Sequence, residues 1–209
     1  MIGKLIKYGL LICLIALVGY KSVYIEKLDK HIASTTKKNF DATSYANDYY
    51  AKLVPLADKS IQLSDLLQQL KGNPNNAIKQ YGNALGISSI KYFLVQGAAT
   101  VEAINESDLS VTMTDSSKQP ATIATEFIYG NALRDASGLV DLKSFTSTSD
   151  LNNVSAAVNK KIREELLPAV KKTLQQGDRV VFTGAIAINQ KFPDLQHIEI
   201  IPITLKKSN

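Results

Sequence analysis

The chain has 209 residues, is 45% hydrophobic and carries a formal charge of +5; that length holds one sizeable domain with an appendage, and that composition excludes a disordered chain. The charge is uneven: residues 1 to 40 hold seven lysines and two acids, and taking these from totals of 24 bases and 19 acids leaves 17 of each for the body. A neutral body with arginine only at Arg134, Arg163 and Arg179 argues against a nucleic-acid binder, which needs a basic face.

Residues 1 to 25 read MIGKLIKYGLLICLIALVGYKSVYI, with an unbroken apolar run from Tyr8 to Tyr20 after Lys4 and Lys7. The run alone suits a signal-peptide core. Leu5 to Ile25 reaches the roughly 20 residues that a bilayer span needs, provided Lys7 and Lys21 snorkel to the headgroups. No cleavage site offers small residues at both −3 and −1, so the run predicts an uncleaved signal anchor, a transmembrane helix. The single cysteine, Cys13, lies inside the run, so no internal disulfide forms. A short N-terminal tail kept inside puts the body outside the cytoplasm. The expected location is therefore the inner, cytoplasmic membrane, single-pass, with the domain facing the periplasm. Residues 26–39 read as a lysine-rich juxtamembrane linker.

Residues 40–86 predict a small helical subdomain. Asp41 can cap a helix whose Tyr45, Tyr49 and Leu53 share one face, and Pro55 is expected to interrupt it. Ser64 is the expected cap of a helix from Asp65 to Lys71. Asn73 followed by Pro74 predicts an N-cap and a first helical residue, with the helix ending near Tyr81.

Residues 87–207 change to strand patterns. The expected strands are Tyr92–Ile104, bent at Gly97; Leu109–Thr114, with clean alternation; Thr122–Tyr129; Arg179–Ile188; and His197–Leu205. A helix with Val154, Val158, Ile162 and Leu166 at i+4 spacing falls between the third and fourth strands. Asp150 or Asn152 is its expected cap, Pro168 its kink and Gly177 its C′ residue. The predicted class is α+β: an N-terminal transmembrane anchor helix, a small helical layer, then a five-stranded antiparallel barrel with a helix between strands 3 and 4. That order resembles the OB-fold.

The polar candidates cluster after the third strand. In GNALRDASG, Asn131 can cap a helical turn that Gly138 ends, and the turn carries Arg134 and Asp135. On a helix these two point about 100° apart, which makes them poor partners for each other. A structural clamp, a polar ligand pocket and a catalytic pair all fit the stretch. Asn152 and Asn159 lie seven residues apart on the following helix, roughly on one face. Their amides suit either capping and bracing or a sugar-like ligand. Asn131, Arg134, Asp135, Asn152 and Asn159 are thus the candidate ligand- or partner-binding residues. No catalytic residue, metal or cofactor is expected. His31 and His197 give no two-histidine ligand spacing, no nucleophile elbow surrounds a serine, and Gly82 and Gly86 are turn glycines rather than a phosphate loop.

Several stretches resemble a known family: KKNFDATSYA, YGNALG to YFLVQG, TEFIYGNALRDASGLVDLKSF, VSAAVNKKIREELLP, GDRVVFTGAIAIN and IEIIPITLK. They are similar to the predicted periplasmic lipoprotein family, a bacterial domain of unknown function, and look closest to its bacteroidete-type members. The resemblance covers about residues 38–206. It implies an exported, membrane-attached protein of a kind often encoded near sugar-type ABC importers, with no implied activity or ligand. The family's lipoprotein cysteine motif is absent here, which leaves a protein anchor in place of a lipid. The expected function is a non-enzymatic binding or accessory module linked to ABC-type sugar import. The alternatives are a glycan-acting envelope enzyme using Asp135 and Glu126, and an OB-type nucleic-acid binder.

Overall fold

The computed structural model describes residues 6–9, 20 and 40–208. Two compact units divide the chain, Met1–Phe40 and Asp41–Asn209. In the first, residues 6–9 and 20 are helical and exposed. The anchor expected over residues 1–25 and the linker over 26–39 otherwise lie outside the described residues. Among the described residues no helix is long and apolar enough to cross a membrane.

The second unit opens with α1 (Ala42–Ala57), capped as expected: the Asp41 carboxylate accepts from the amides of Thr43 and Ser44. Pro55 does not interrupt it. It sits exposed within the helix, close to its end, where a missing amide removes one hydrogen bond from a turn that frays anyway. Tyr49 and Leu53 are buried along one face. After a two-residue strand, β1 (Ile61–Gln62), comes α2 (Leu63–Gly72). Its N-cap is Gln62, without a side-chain cap, and not Ser64, whose hydroxyl is drawn instead to the Asp115 carboxylate at 2.6 Å. The third helix, α3 (Pro74–Tyr81), is capped by Asn73 through the Asn76 amide. It leads into β2 (Gly82–Asn83).

Five longer strands follow: β3 (Ile90–Ile104), β4 (Asp108–Met113), β5 (Pro120–Ala124), β6 (Arg179–Asn189) and β7 (Glu199–Ser208). They form a ring in the order β3–β4–β5–β7–β6, closed by the pairing of β6 with β3. Leu109, Val111 and Met113 point inward as their alternation predicts. The ring is mixed, not antiparallel: Thr122 and Ile123 of β5 pair in parallel with Glu199 and Ile200 of β7. Parity forces this correction. Directions that alternate around a closed ring require an even number of strands, so a five-membered ring must contain a parallel seam. Outside the ring, β1 also pairs with β3 in parallel.

The third long strand is shorter than its sequence suggests. It stops at Ala124 because the amides of Thr125 and Glu126 both turn onto the Ser107 carbonyl, which ends the ladder. Phe127 and Tyr129 are left exposed. A short helix, α4 (Ala132–Asp135), and a 3₁₀ turn at Leu142–Ser144 lead to α5 (Thr148–Lys161). Ser147 caps α5 through the Asp150 amide, in place of Asp150 or Asn152. Pro168 acts as a splitter: a π-helical turn at Ile162–Leu166 precedes α6 (Leu167–Lys171). The wider turn makes room where the proline ring would strike the carbonyl four residues back. Gly138 and Gly177 both adopt positive φ, but α6 ends at Lys171 with Lys172 as its C-cap, so Gly177 is not the C′ residue expected of it.

Candidate functional site

The corner between β5 and α5 holds four of the three-arginine chain's most constrained polar groups: Arg134, Asp135, Ser137 and Asn159, each at or below 9% exposure. The expectation that Arg134 and Asp135 are poor partners is corrected here. Arg134 Nε donates to Asp135 Oδ1 at 2.6 Å, and both side chains are buried. Backbone directions about 100° apart do not prevent this, since arginine's long stem bends back across the turn. Arg134 Nη1 also donates to the Leu151 carbonyl in α5 at 3.2 Å. This is the geometry of a clamp between α4 and α5.

Tyr49 joins α1 to the same corner. Its hydroxyl lies 2.8 Å from the Leu133 carbonyl, 3.0 Å from the Arg134 carbonyl and 2.8 Å from Ser137 Oγ. Burial pushes this hydroxyl well above its ordinary pKa; the Ser137 hydrogen bond opposes the rise and the Asp135 charge adds to it. Asn83 reaches in from the other side, donating to the Ala136 carbonyl at 2.8 Å. Glu126 is exposed, while the Asp135 carboxylate is buried and engaged by Arg134.

In front of the clamp lies an open cavity of about 330 Å³, lined by Tyr129, Asn131, Asn152, Ser155, Asn159 and Arg163 among others. It gathers three of the five expected site residues and leaves Arg134 and Asp135 out. Asn131 holds the N-cap position of α4 as expected, but its side chain makes no cap hydrogen bond; its Oδ1 accepts from Ser155 Oγ at 3.3 Å instead. Asn159 donates to the Gly130 carbonyl at 3.0 Å, bracing the turn. Asn152 is exposed at the rim. Sequence reasoning missed Tyr129 and Arg163. Arg163 donates to the Ile128 carbonyl at 2.6 Å, and its guanidinium stands 5.3 Å from the centre of the exposed Tyr129 ring. The missed signal was spacing: Asn152, Asn159 and Arg163 are separated by seven and four residues, one helical face.

A larger groove, about 550 Å³, crosses β4, β5 and the segment before β7, with Glu102, Ser110, Thr112, Thr122, His197 and Glu199 among its walls. No lysine or arginine lines it, the reverse of what a phosphate backbone needs. The His197 ring pairs with Asp194 at 2.9 Å, and this hydrogen bond, with two turn amides, holds the Asp194 carboxyl down to about 2. Among the described residues no group of three or more histidine, cysteine or acidic side chains could hold a metal.

A model of the family described as "Predicted periplasmic lipoprotein (DUF2291)" matches residues 13–206. No curated protein matches the chain. Among solved structures, the crystal structure of an OB-fold protein from Thermotoga maritima MSB8 is similar, with a TM-score of 0.72 and 24% identity, covering 82% of this chain and 100% of that one. A likeness at that identity establishes the barrel fold.

Two predictions follow from the corner. Arg134→Ala leaves a buried carboxylate without its partner and should cost about 3–5 kcal/mol in urea unfolding. The apolar double variant Arg134→Met with Asp135→Leu should cost less than Arg134→Ala alone; strictly additive losses would contradict the clamp. Tyr49 ionises at higher pH in the folded chain than in the unfolded one. Its contribution is therefore complete below about pH 10 and lost as pH rises beyond it. Tyr49→Phe should flatten that alkaline loss, measured by unfolding across the alkaline range; an unchanged slope would contradict the assignment.

Proposed function

The chain belongs to the predicted periplasmic lipoprotein family (DUF2291), and from that premise we propose a membrane-associated, extracytoplasmic binding module without catalytic chemistry of its own. The cavity on α5 is its recognition site, and a small, neutral, hydroxylated molecule of saccharide type is its ligand class. The observation that carries this is one cavity that gathers an exposed aromatic ring and three amides: Tyr129 beside Arg163, with Asn131, Asn152 and Asn159 in the same lining. Amide side chains offer donor and acceptor together, matching hydroxyls that do both. A flat ring covers the apolar face of a sugar, while the guanidinium adds fixed donors. Concave sites with a few converging polar groups are the usual form of small-molecule recognition.

The exported, membrane-associated setting is supported by family membership. The span Leu5–Ile25 is the proposed attachment, holding the domain at the outer face of the cytoplasmic membrane. An ABC-type sugar importer is the partner that such a module would serve, passing or sensing the same class of solute.

Isotope-labelled full chain in detergent, titrated with a panel of neutral pentoses, hexoses and disaccharides, tests the site. At least one sugar should bind saturably and shift amides at 129–132 and 152–159. Tyr129→Ala and Asn152→Ala alter exposed residues and leave the clamp intact; each should weaken binding about tenfold, the worth of one or two hydrogen bonds. No saturable binding across the panel, or binding indifferent to both variants, would refute the proposal.

A further inference from the structure

We propose that three loops at one end of the domain form a second membrane contact, resting on an anionic bilayer surface with Ile87, Leu139, Leu142 and Phe192 in the interfacial layer. The proposal rests on the membrane-associated reading above and adds to it a specific face. All four are exposed large apolar side chains, Ile87 at 110% and Phe192 at 79% and, less so, Leu139 at 43% and Leu142 at 48%. Scattered singly, such residues mean little. Here their loops are tied together.

The pairing of Ile90 with Asn189 continues past the strand ends. The Gln190 amide donates to the Ser89 carbonyl at 2.9 Å and Gln190 Nε2 to the Ser88 carbonyl at 3.1 Å. Ile87 and Phe192 therefore extend from adjoining loop tips. At the other end of the first loop, Asn83 packs on Gly138, so closely that a Cβ there would lie 3.0 Å from its Oδ1. Leu139 is the next residue. Leu142 lies in the 3₁₀ turn whose carbonyl accepts from the Phe145 amide. The Phe145 ring meets Tyr45, in the first turn of α1, with ring centres 5.3 Å apart. That helix begins where the leader joins the domain, at Asp41.

The exposed apolar residues thus sit on segments connected to the point where the greasy, lysine-bearing leader enters. Exposed Lys143 and Lys191 flank them, and Lys91 follows in β3. Two acids lie among them and offset part of their charge, Asp141, which accepts from the Lys143 amide, and Asp194, which accepts from His197 and two amides; the three lysines outnumber them by one. Apolar side chains with lysines interspersed fit the boundary between acyl chains and anionic headgroups. A weak contact suffices, because the leader makes it intramolecular.

The test uses the full chain with Cys13→Ser, reconstituted in phosphatidylcholine–phosphatidylglycerol vesicles carrying lipid-bound quenchers. Fluorophores are placed through Ile87→Cys, Leu142→Cys or Phe192→Cys, with Glu106→Cys in the β3–β4 loop as control. The first three should be quenched and the control should not. Adding Lys143→Gln or Lys191→Gln should lower the fraction of docked domain, about fivefold per lysine in the docking equilibrium. If the chain pellets with vesicles but all labels read as exposed to water as the control, the contact is overturned while membrane association stands. If the chain does not pellet, both are overturned. Labels shielded without vesicles would make the patch an interface between copies and overturn the proposal as well.

Discussion

The ion pair between Arg134 and Asp135 is the constraint on which the rest of the site depends. Removing two charges from water is expensive, and their attraction offsets that cost only when the geometry is close to ideal and the remaining hydrogen-bond capacity is used. Here the pair sits at 2.6 Å under a corner where three helices meet. Arg134 spends a second donor on the backbone of α5, and the carbonyls of Leu133 and Arg134 are met by the Tyr49 hydroxyl of α1. A chain segment leaving a barrel strand normally has freedom to wander. This one does not, because any displacement of α4 would break the Arg134 bond to the Leu151 carbonyl of α5 and the Tyr49 bonds from α1.

That rigidity shapes what lies in front of it. Gly130 turns with positive φ, and its carbonyl is pinned by Asn159 while the preceding Ile128 carbonyl is pinned by Arg163. The exposed Tyr129 ring is therefore held between two anchored peptides rather than on a loose loop. A recognition surface arranged before its ligand arrives loses less conformational freedom on binding. The barrel contributes at a distance: the Ser107 carbonyl, between β3 and β4, takes the amides of Thr125 and Glu126, which ends the third strand at Ala124 and sets where the corner begins.

Much of this was legible in the residues. Alternation in β4, the long bent β3 and the position of the helix between β5 and β6 were enough for the barrel, because burial on one face of a strand imposes a period that survives any tertiary detail. The parallel seam was also deducible, as a counting constraint on a closed ring of five. Other features were not. Thr122–Tyr129 reads as one strand by propensity, yet two hydrogen bonds, from the Thr125 and Glu126 amides to the Ser107 carbonyl, cut it at Ala124. Ser147, Asp150 and Asn152 are all competent caps, and only the path of the chain selects Ser147. The Arg134–Asp135 contact escaped because helical geometry constrains Cβ directions and says little about where a four-torsion side chain ends. The amides at 131, 152 and 159 were found from composition and face; Tyr129 and Arg163 escaped because the first was assigned to a strand and the second was not placed on the asparagine face.

Native-state hydrogen exchange of the corner tests this picture most directly. The amides of Asp135 and Ala136 donate to the carbonyls of Asn131 and Ala132 in a helix too short to persist by itself. If the buried pair and Tyr49 hold the corner to the core, these two amides should exchange only through global unfolding, with the same free energy as the central amides of β6. Exchange through a low-energy local opening, at the rate of the exposed loop tip at Gly86 and Ile87, would contradict it.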